Sequence, residues 1–141
     1  MSNICAGIGR GQMEVIDLRV SQRRAMNAFY QELFKDNKEV EVFKEPTSDY
    51  FSNHWLSAIL LDSYEKREAL RLTLEKQNIE SRPLWKPMHL QPIFEKYPYY
   101  GTKVAEELFQ KGLCLPSGSN LNADDKRRIS ENIKTFFATF V

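Results

Sequence analysis

The sequence predicts an α+β fold, with a long N-terminal helix followed by a small three-stranded sheet carrying helices on one face. Three observations predict it. Apolar residues recur at helical spacing from Ile4 to Phe34, which reads as one helix over 4–35. Short apolar runs bounded by turn residues, at 55–61, 79–85 and 113–115, read as strands. Helical segments follow each run, and that alternation packs as helices layered on a sheet.

The first helix begins oddly. Ile4 and Ile8 share a face, Met13, Ile16 and Val20 continue it, and Met26, Phe29, Tyr30, Leu33 and Phe34 extend it. Gly7, Gly9 and Gly11 weaken the same segment, each by about 1 kcal/mol relative to alanine. Glycine in a helix is tolerable where another backbone comes close. An apolar, glycine-rich start therefore predicts a neighbour that packs against it. Residues 36–53 read as loop, with room for a short strand around 40–43.

Asp62 and Glu65 have the spacing of a capping box and should start the next helix, with Leu70 and Leu74 as its inner edge. Asn78 fits its left-handed end. Pro83, Pro87 and Pro92 keep the following stretch from being one regular element. A short helix at 102–111 places Ala105, Leu108 and Phe109 inside and stops at Gly112. Residues 117–122 turn, Asn122 caps the last helix, and Ile129, Ile133, Phe136, Phe137 and Phe140 form its apolar stripe.

Composition bounds function. The 141 residues suffice for one domain with a real core, and the formal net charge of +1 offers no bulk attraction to nucleic acid or a membrane surface. The longest apolar runs are far too short to span a bilayer, and the N-terminus lacks a basic segment followed by an apolar run. Cys5 and Cys114 stand apart without a CxxC or a histidine cluster, so neither a disulfide framework nor a metal site is expected. Both read as buried small hydrophobes in a reducing, cytoplasmic setting.

Few segments carry chemistry. Gly7-Ile8-Gly9-Arg10-Gly11 is not a phosphate loop, because the spacing is wrong and no strand precedes it. His54 reads as a capped strand entry, Asp124-Asp125 as helix-dipole complements, and Lys126-Arg127-Arg128 as a solvated face. Tyr97, Tyr99 and Tyr100 form an aromatic turn at a core edge or subunit contact. The informative stretch is Arg82-Pro83-Leu84-Trp85-Lys86-Pro87-Met88-His89-Leu90-Gln91-Pro92. Arg82 or Lys86 suits a phosphate, Trp85 a ring or apolar sugar face, and His89 a hydroxyl or carbonyl. The segment has no nucleophile and no metal set, so side-chain chemistry alone favours a structural turn whose Trp85 and Met88 cap the core.

Four blocks resemble one family, the DegT/DnrJ/EryC1/StrS-type aminotransferases, which use pyridoxal phosphate to aminate nucleotide-linked keto-sugars. They are residues 1–12, Asn53-His54-Trp55-Leu56, the Arg82 to Pro92 stretch, and Gly112-Leu113-Cys114-Leu115-Pro116-Ser117-Gly118-Ser119. The Trp85-Lys86-Pro87-Met88-His89 form is most similar to members acting on UDP-linked N-acetylated sugars, as in bacillosamine synthesis.

The resemblance implies a fold type I enzyme of which this is the C-terminal part: residues 1–35 an interdomain helix and 36–141 the small α+β domain. The Schiff-base lysine, the aspartate facing the pyridine nitrogen and most phosphate contacts would lie in a large domain upstream of Met1. By the same resemblance no lysine here fills that role, so pyridoxal phosphate belongs to the complete enzyme and none is expected on this chain, which would be inactive alone. His89 carries over as a substrate contact toward a neighbouring subunit's site, and Met88, Lys86, Trp85 and Arg82 come with it. The expected partners are a nucleotide sugar, the missing large domain and a second copy in a homo-oligomer, with no nucleic acid or membrane. The rival reading is a stand-alone sugar-nucleotide-binding or regulatory module, favoured if the chain binds a UDP-sugar unaided as a monomer.

Overall fold

The computed structural model describes residues 1–140. The expected N-terminal helix is two: α1 (Asn3–Met13) and α2 (Ile16–Leu33). Glu14 and Val15 interrupt them, Val15 lying outside helical geometry with φ −120° and ψ 10°. The apolar spacing runs through the break, which is why the sequence reads as continuous. α1 has no buried residue, whereas α2 buries Met26, Asn27 and Tyr30 in its second half. The β-branched pair Val15-Ile16 also disfavours helix there.

The sheet has four strands rather than three. β1 (Val40–Val42), β2 (Ser57–Leu61), β3 (Arg82–Pro83) and β4 (Gly112–Leu115) run antiparallel in the order β1-β2-β4-β3. The optional strand near residue 40 forms because its register sets Val42 opposite Ile59 and so buries it. The strand expected at 79–85 shrinks to two residues, since Pro83 has no N–H for the ladder. β4 is buried throughout because it is paired on both sides, and β2 alternates buried and half-buried residues.

Pairing of Ile59 with Leu113 and Ser57 with Leu115 puts these on one face. That face meets Met26, Tyr30 and Phe34 of the α2 segment, Leu70 and Leu74 of α3 (Tyr64–Lys76), and Ile129, Ile133 and Phe136 of α5 (Ala123–Thr139). The α5 stripe is as expected except at its end, where Phe140 lies past the last turn and is 40% exposed.

Local chemistry fixes the helix ends. Ser63, not Asp62, caps α3 by accepting from the Lys66 N–H. Asp62 instead pairs with the Lys66 ammonium at 3.2 Å. Asn78 takes the left-handed conformation, φ 54°, while the Ile79 and Asn78 N–H groups donate to Leu74 and Glu75 carbonyls. Asn122 and Asp125 form a full capping box on α5. α4 (Val104–Lys111) buries no residue: Ala105, expected inside, is exposed, and Glu106, Leu108, Phe109 and Lys111 are half-buried. Gly112 ends it without a positive φ, at −86°. A Cβ there would meet the Leu84 side chain and the Leu108 carbonyl, so close approach explains this glycine.

Cys5 is exposed because it rides on the unpacked α1, contrary to the expectation of burial. Cys114 is buried, and burial raises its thiol pKa. No helix among the described residues is long and apolar enough to cross a membrane.

Candidate functional site

The Arg82–Pro92 stretch leaves the sheet at β3 and is anchored in two places. The Leu84 N–H donates to the Gly112 carbonyl at 3.3 Å, and Pro87 is buried. A 3-10 turn over Met88–Leu90 follows, its backbone closed by the Leu90 N–H on Pro87 and the Gln91 N–H on Met88. The Gln91 amide also donates to the Lys86 carbonyl at 3.4 Å and to Met88 Sδ at 3.7 Å. The loop is therefore stiff, and its side chains splay outward.

Trp85 and Met88 do not cap the core: they are 66% and 60% exposed. Lys86 is exposed with no ion pair among the described residues. Arg82 pairs with exposed Glu80, its Nε donor 2.7 Å from the carboxylate, an interaction that water screens heavily. His89 alone turns inward. Its Nε2 lies 3.0 Å from Glu106 of α4, and its ring stacks on Tyr99 with centroids 3.7 Å apart.

The site residues thus fall into two groups. Arg82 and Trp85 line an open cavity of about 440 Å³ at the sheet edge, together with Arg23, Trp55, Ser81 and Ser117. Trp55 and Trp85 stack across it with centroids 5.8 Å apart and an angle of 26°. Arg23 donates to the Trp55 carbonyl at 2.5 Å. The Ser81 hydroxyl is buried and lacks a hydrogen-bond partner among the described residues. Lys86, Met88 and His89 do not line this cavity. Arg23 and Trp55 lie more than 25 residues from the loop, and nothing in spacing marks them. The Trp55 side chain, assigned to the buried strand, is in fact exposed just before it.

A second polar cluster escaped sequence reading. Arg24 Nη1 and His54 Nε2 approach the same oxygen of Glu45, at 2.7 and 3.2 Å. Arg24 also donates to the Ser52 carbonyl and covers the Phe51 ring at 4.2 Å. His54 is buried with a left-handed backbone, φ 45°, so strand entry is its structural role, as expected. The hydrogen bond from Arg24, with its own and the Ser52 backbone N–H groups, holds the Glu45 carboxyl down to about 2 from the usual 4.5. A depressed carboxylate pKa stabilises the fold above the unfolded value and stops doing so as acid protonates it. The stability that Glu45 confers is thus complete above about pH 4.5 and vanishes toward pH 2. Urea unfolding of wild type and Glu45→Gln across that window should show a difference that closes in acid. A constant gap would contradict this assignment.

Of the basic triplet, Arg127 pairs with Asp124 at 3.0 Å on the surface, but Arg128 reaches the Gln77 carbonyl at the end of α3. Arg128 is exposed, as expected of a solvated face, and also ties α5 to the end of α3.

The sheet of order β1-β2-β4-β3 carries α2, α3 and α5 on one face, and the leading helix α1 buries no residue. The DegT/DnrJ/EryC1/StrS aminotransferase family matches residues 1–134, and the chain belongs to that family. EpsN of Bacillus subtilis, whose name assigns it provisionally to the pyridoxal phosphate-dependent aminotransferases, is 38% identical over 143 residues, 99% of this chain and 37% of EpsN. The GDP-perosamine synthase of Escherichia coli O157:H7 is 37% identical over 139 residues, 98% of this chain and 37% of that enzyme. Among solved structures, Helicobacter pylori PseC, an aminotransferase involved in pseudoaminic acid biosynthesis, superposes with a TM-score of 0.81 at 23% identity. That match covers 94% of this chain and 36% of PseC. The chain spans about 37% of the length of the curated relatives it matches.

Pyridoxal phosphate needs an amine for its aldehyde and a carboxylate facing its ring nitrogen. The cavity is lined by no lysine, and its one carboxylate, Glu80, already pairs with Arg82. The buried amine of Lys66 is tied to Glu39 at 2.9 Å and Asp62 at 3.2 Å, which raise its pKa and keep it charged. These residues do not fit the cofactor, and no chemical step through it belongs to this chain.

Proposed function

We propose that this chain is the C-terminal part of an aminotransferase that aminates a nucleotide-linked keto-sugar for surface polysaccharide or glycan biosynthesis. Residues 1–35 are the interdomain segment, 36–141 the small domain, and a large domain outside this chain holds pyridoxal phosphate. One observation carries the reading. Every residue of α1 is exposed, and a Cβ at Gly7, Gly9 or Gly11 would have nothing within 4 Å. A glycine-rich apolar helix without a neighbour is intelligible as half of an interface.

The substrate we assign is a UDP-4-keto-6-deoxy-N-acetylhexosamine. Support comes from the Trp85-Lys86-Pro87-Met88-His89 block, while the relative named a GDP-perosamine synthase supports the broader class of nucleotide sugars. In this reading His89 contacts the sugar from the small domain. Met88 and Lys86 flank it on the same stiff loop, and Trp85 and Arg82 offer a ring face and a guanidinium nearby. A homodimer, with this loop reaching a neighbouring subunit's site, completes the proposal.

The test uses the chain itself. Added pyridoxal phosphate should give no saturable, borohydride-trapped attachment at any single lysine and no amination of the keto-sugar. Joining the chain to an upstream cofactor-binding domain should restore turnover. Stoichiometric labelling of one lysine followed by turnover in the isolated chain would sink the reading.

A further inference from the structure

We propose that Glu106 is a positioning residue. For the neutral imidazole of His89, the Glu106 carboxylate selects the tautomer protonated on Nε2, leaving Nδ1 as an acceptor for a hydroxyl or amide N–H of the sugar. The inference rests on the reading of His89 as a substrate contact.

The geometry is specific. Glu106 Oε1 lies 3.0 Å from His89 Nε2, and the two side chains are only 19% and 21% exposed. An ionised carboxylate accepts only, so a neutral imidazole in this bond must place its proton on Nε2. Nδ1 has no hydrogen-bond partner among the described residues. Glu106 sits in the first turn of α4, where the helix dipole favours a negative charge, so its place does not depend on His89.

A tyrosine holds the ring plane. Tyr99 stacks on it at 3.7 Å and 22°. Tyr99 in turn accepts from the Lys103 N–H at 3.3 Å, and it lies where a side chain at Gly101 would fall, 2.7 Å from Tyr99 Cζ. Carboxylate and tyrosine come from two positions after the loop and converge on one imidazole, and Gly101 leaves the tyrosine room. The partner this arrangement selects is a donor. A hydroxyl or amide N–H satisfies the lone pair, whereas a carbonyl or ether oxygen at that point leaves two acceptors facing each other.

Nitrogen-15 NMR of the histidine ring nitrogens in the 141-residue chain near neutral pH tests the tautomer, with His54 as internal reference. The expected wild-type pattern for His89 is a proton on Nε2 and a bare Nδ1. Glu106→Gln keeps an oxygen acceptor and should keep that pattern, while Glu106→Leu should give a tautomer mixture. In the chain joined to a cofactor-binding domain, with UDP-4-keto-6-deoxy-N-acetylglucosamine as probe, Glu106→Leu should raise KM about 10-fold with a smaller change in kcat. Glu106→Gln should recover most of that loss. A wild-type proton on Nδ1, or a tautomer shift that leaves KM unchanged, overturns the proposal. If Glu106→Leu loses its fold, Gly101→Ala displaces Tyr99 instead and should broaden the His89 ring signals and raise KM. Failure of wild-type turnover, with the NMR pattern intact, overturns the aminotransferase reading and with it the sugar as donor.

Discussion

Replacing Leu113 by alanine is expected to destabilise the chain by about 2–5 kcal/mol, the range for emptying a buried leucine site. Leu113 is wholly buried on the central strand, pairs with Ile59 of β2 on one side and Pro83 of β3 on the other, and belongs to the main core cluster. Because β4 is held from both sides, the site has little freedom to collapse around the void. Set against a typical total of about 5–15 kcal/mol, the loss is a large fraction of what holds a domain of this size together. The consequence reaches the site, because the Leu84 N–H that anchors the Trp85–His89 loop bonds to Gly112, the residue before Leu113. Urea unfolding should show a lower midpoint at unchanged slope, and the His89 ring signals should broaden at urea concentrations where wild type is intact. A stability change below about 1 kcal/mol would mean the strand is not the structural centre.

Most of the architecture was legible because it rests on short-range rules. The apolar runs in β2 and β4, the Leu70–Leu74 edge, the Asn78 turn and the Asn122 cap each follow from residues within a few positions of one another. What was misread depends on packing. The break at Val15 leaves no trace in the apolar spacing, which crosses it unbroken. Ser63 rather than Asp62 caps α3, while Asp62 pairs with Lys66, whose ammonium also meets Glu39 from just before β1. Ala105 has the right phase for burial but is exposed, and it is Glu106 beside it that turns toward the fold, to His89.

The site was legible only in part for the same reason. The loop 82–92 declared itself by density of unusual side chains, whereas its partners did not. Glu106 is 17 residues from His89 and looks like any helix-start carboxylate. Trp55 and Arg23 meet Trp85 and Arg82 only because the start of β2 and the middle of α2 come together beside β3. No local pattern encodes that convergence, and the Glu45–Arg24–His54 cluster is hidden likewise.

The other large effect concerns α1, where one substitution should change sign with context. In the isolated chain, Gly9→Ala adds a methyl into open space and removes a flexible helix residue, so it should strengthen α1 by about 0.5–1 kcal/mol. In the assembled enzyme the reading places another backbone against that glycine, and the same methyl should weaken assembly. Ile4 and Ile8, 76% and 62% exposed, behave in the complementary way. Changing both to aspartate should leave folding of the isolated chain within about 0.5 kcal/mol, as for surface sites, and abolish any self-association driven by that face. In assembly with the large domain the loss should reach about 3–6 kcal/mol, since each buried isoleucine contributes about 1.5–3 kcal/mol. Circular dichroism of the chain, and titration calorimetry against a separately prepared cofactor-binding domain, read the two contexts. If Gly9→Ala unfolds the chain alone, α1 belongs to this domain's own core. If neither change affects assembly, the helix meets no companion lobe and the aminotransferase-fragment reading loses its main support.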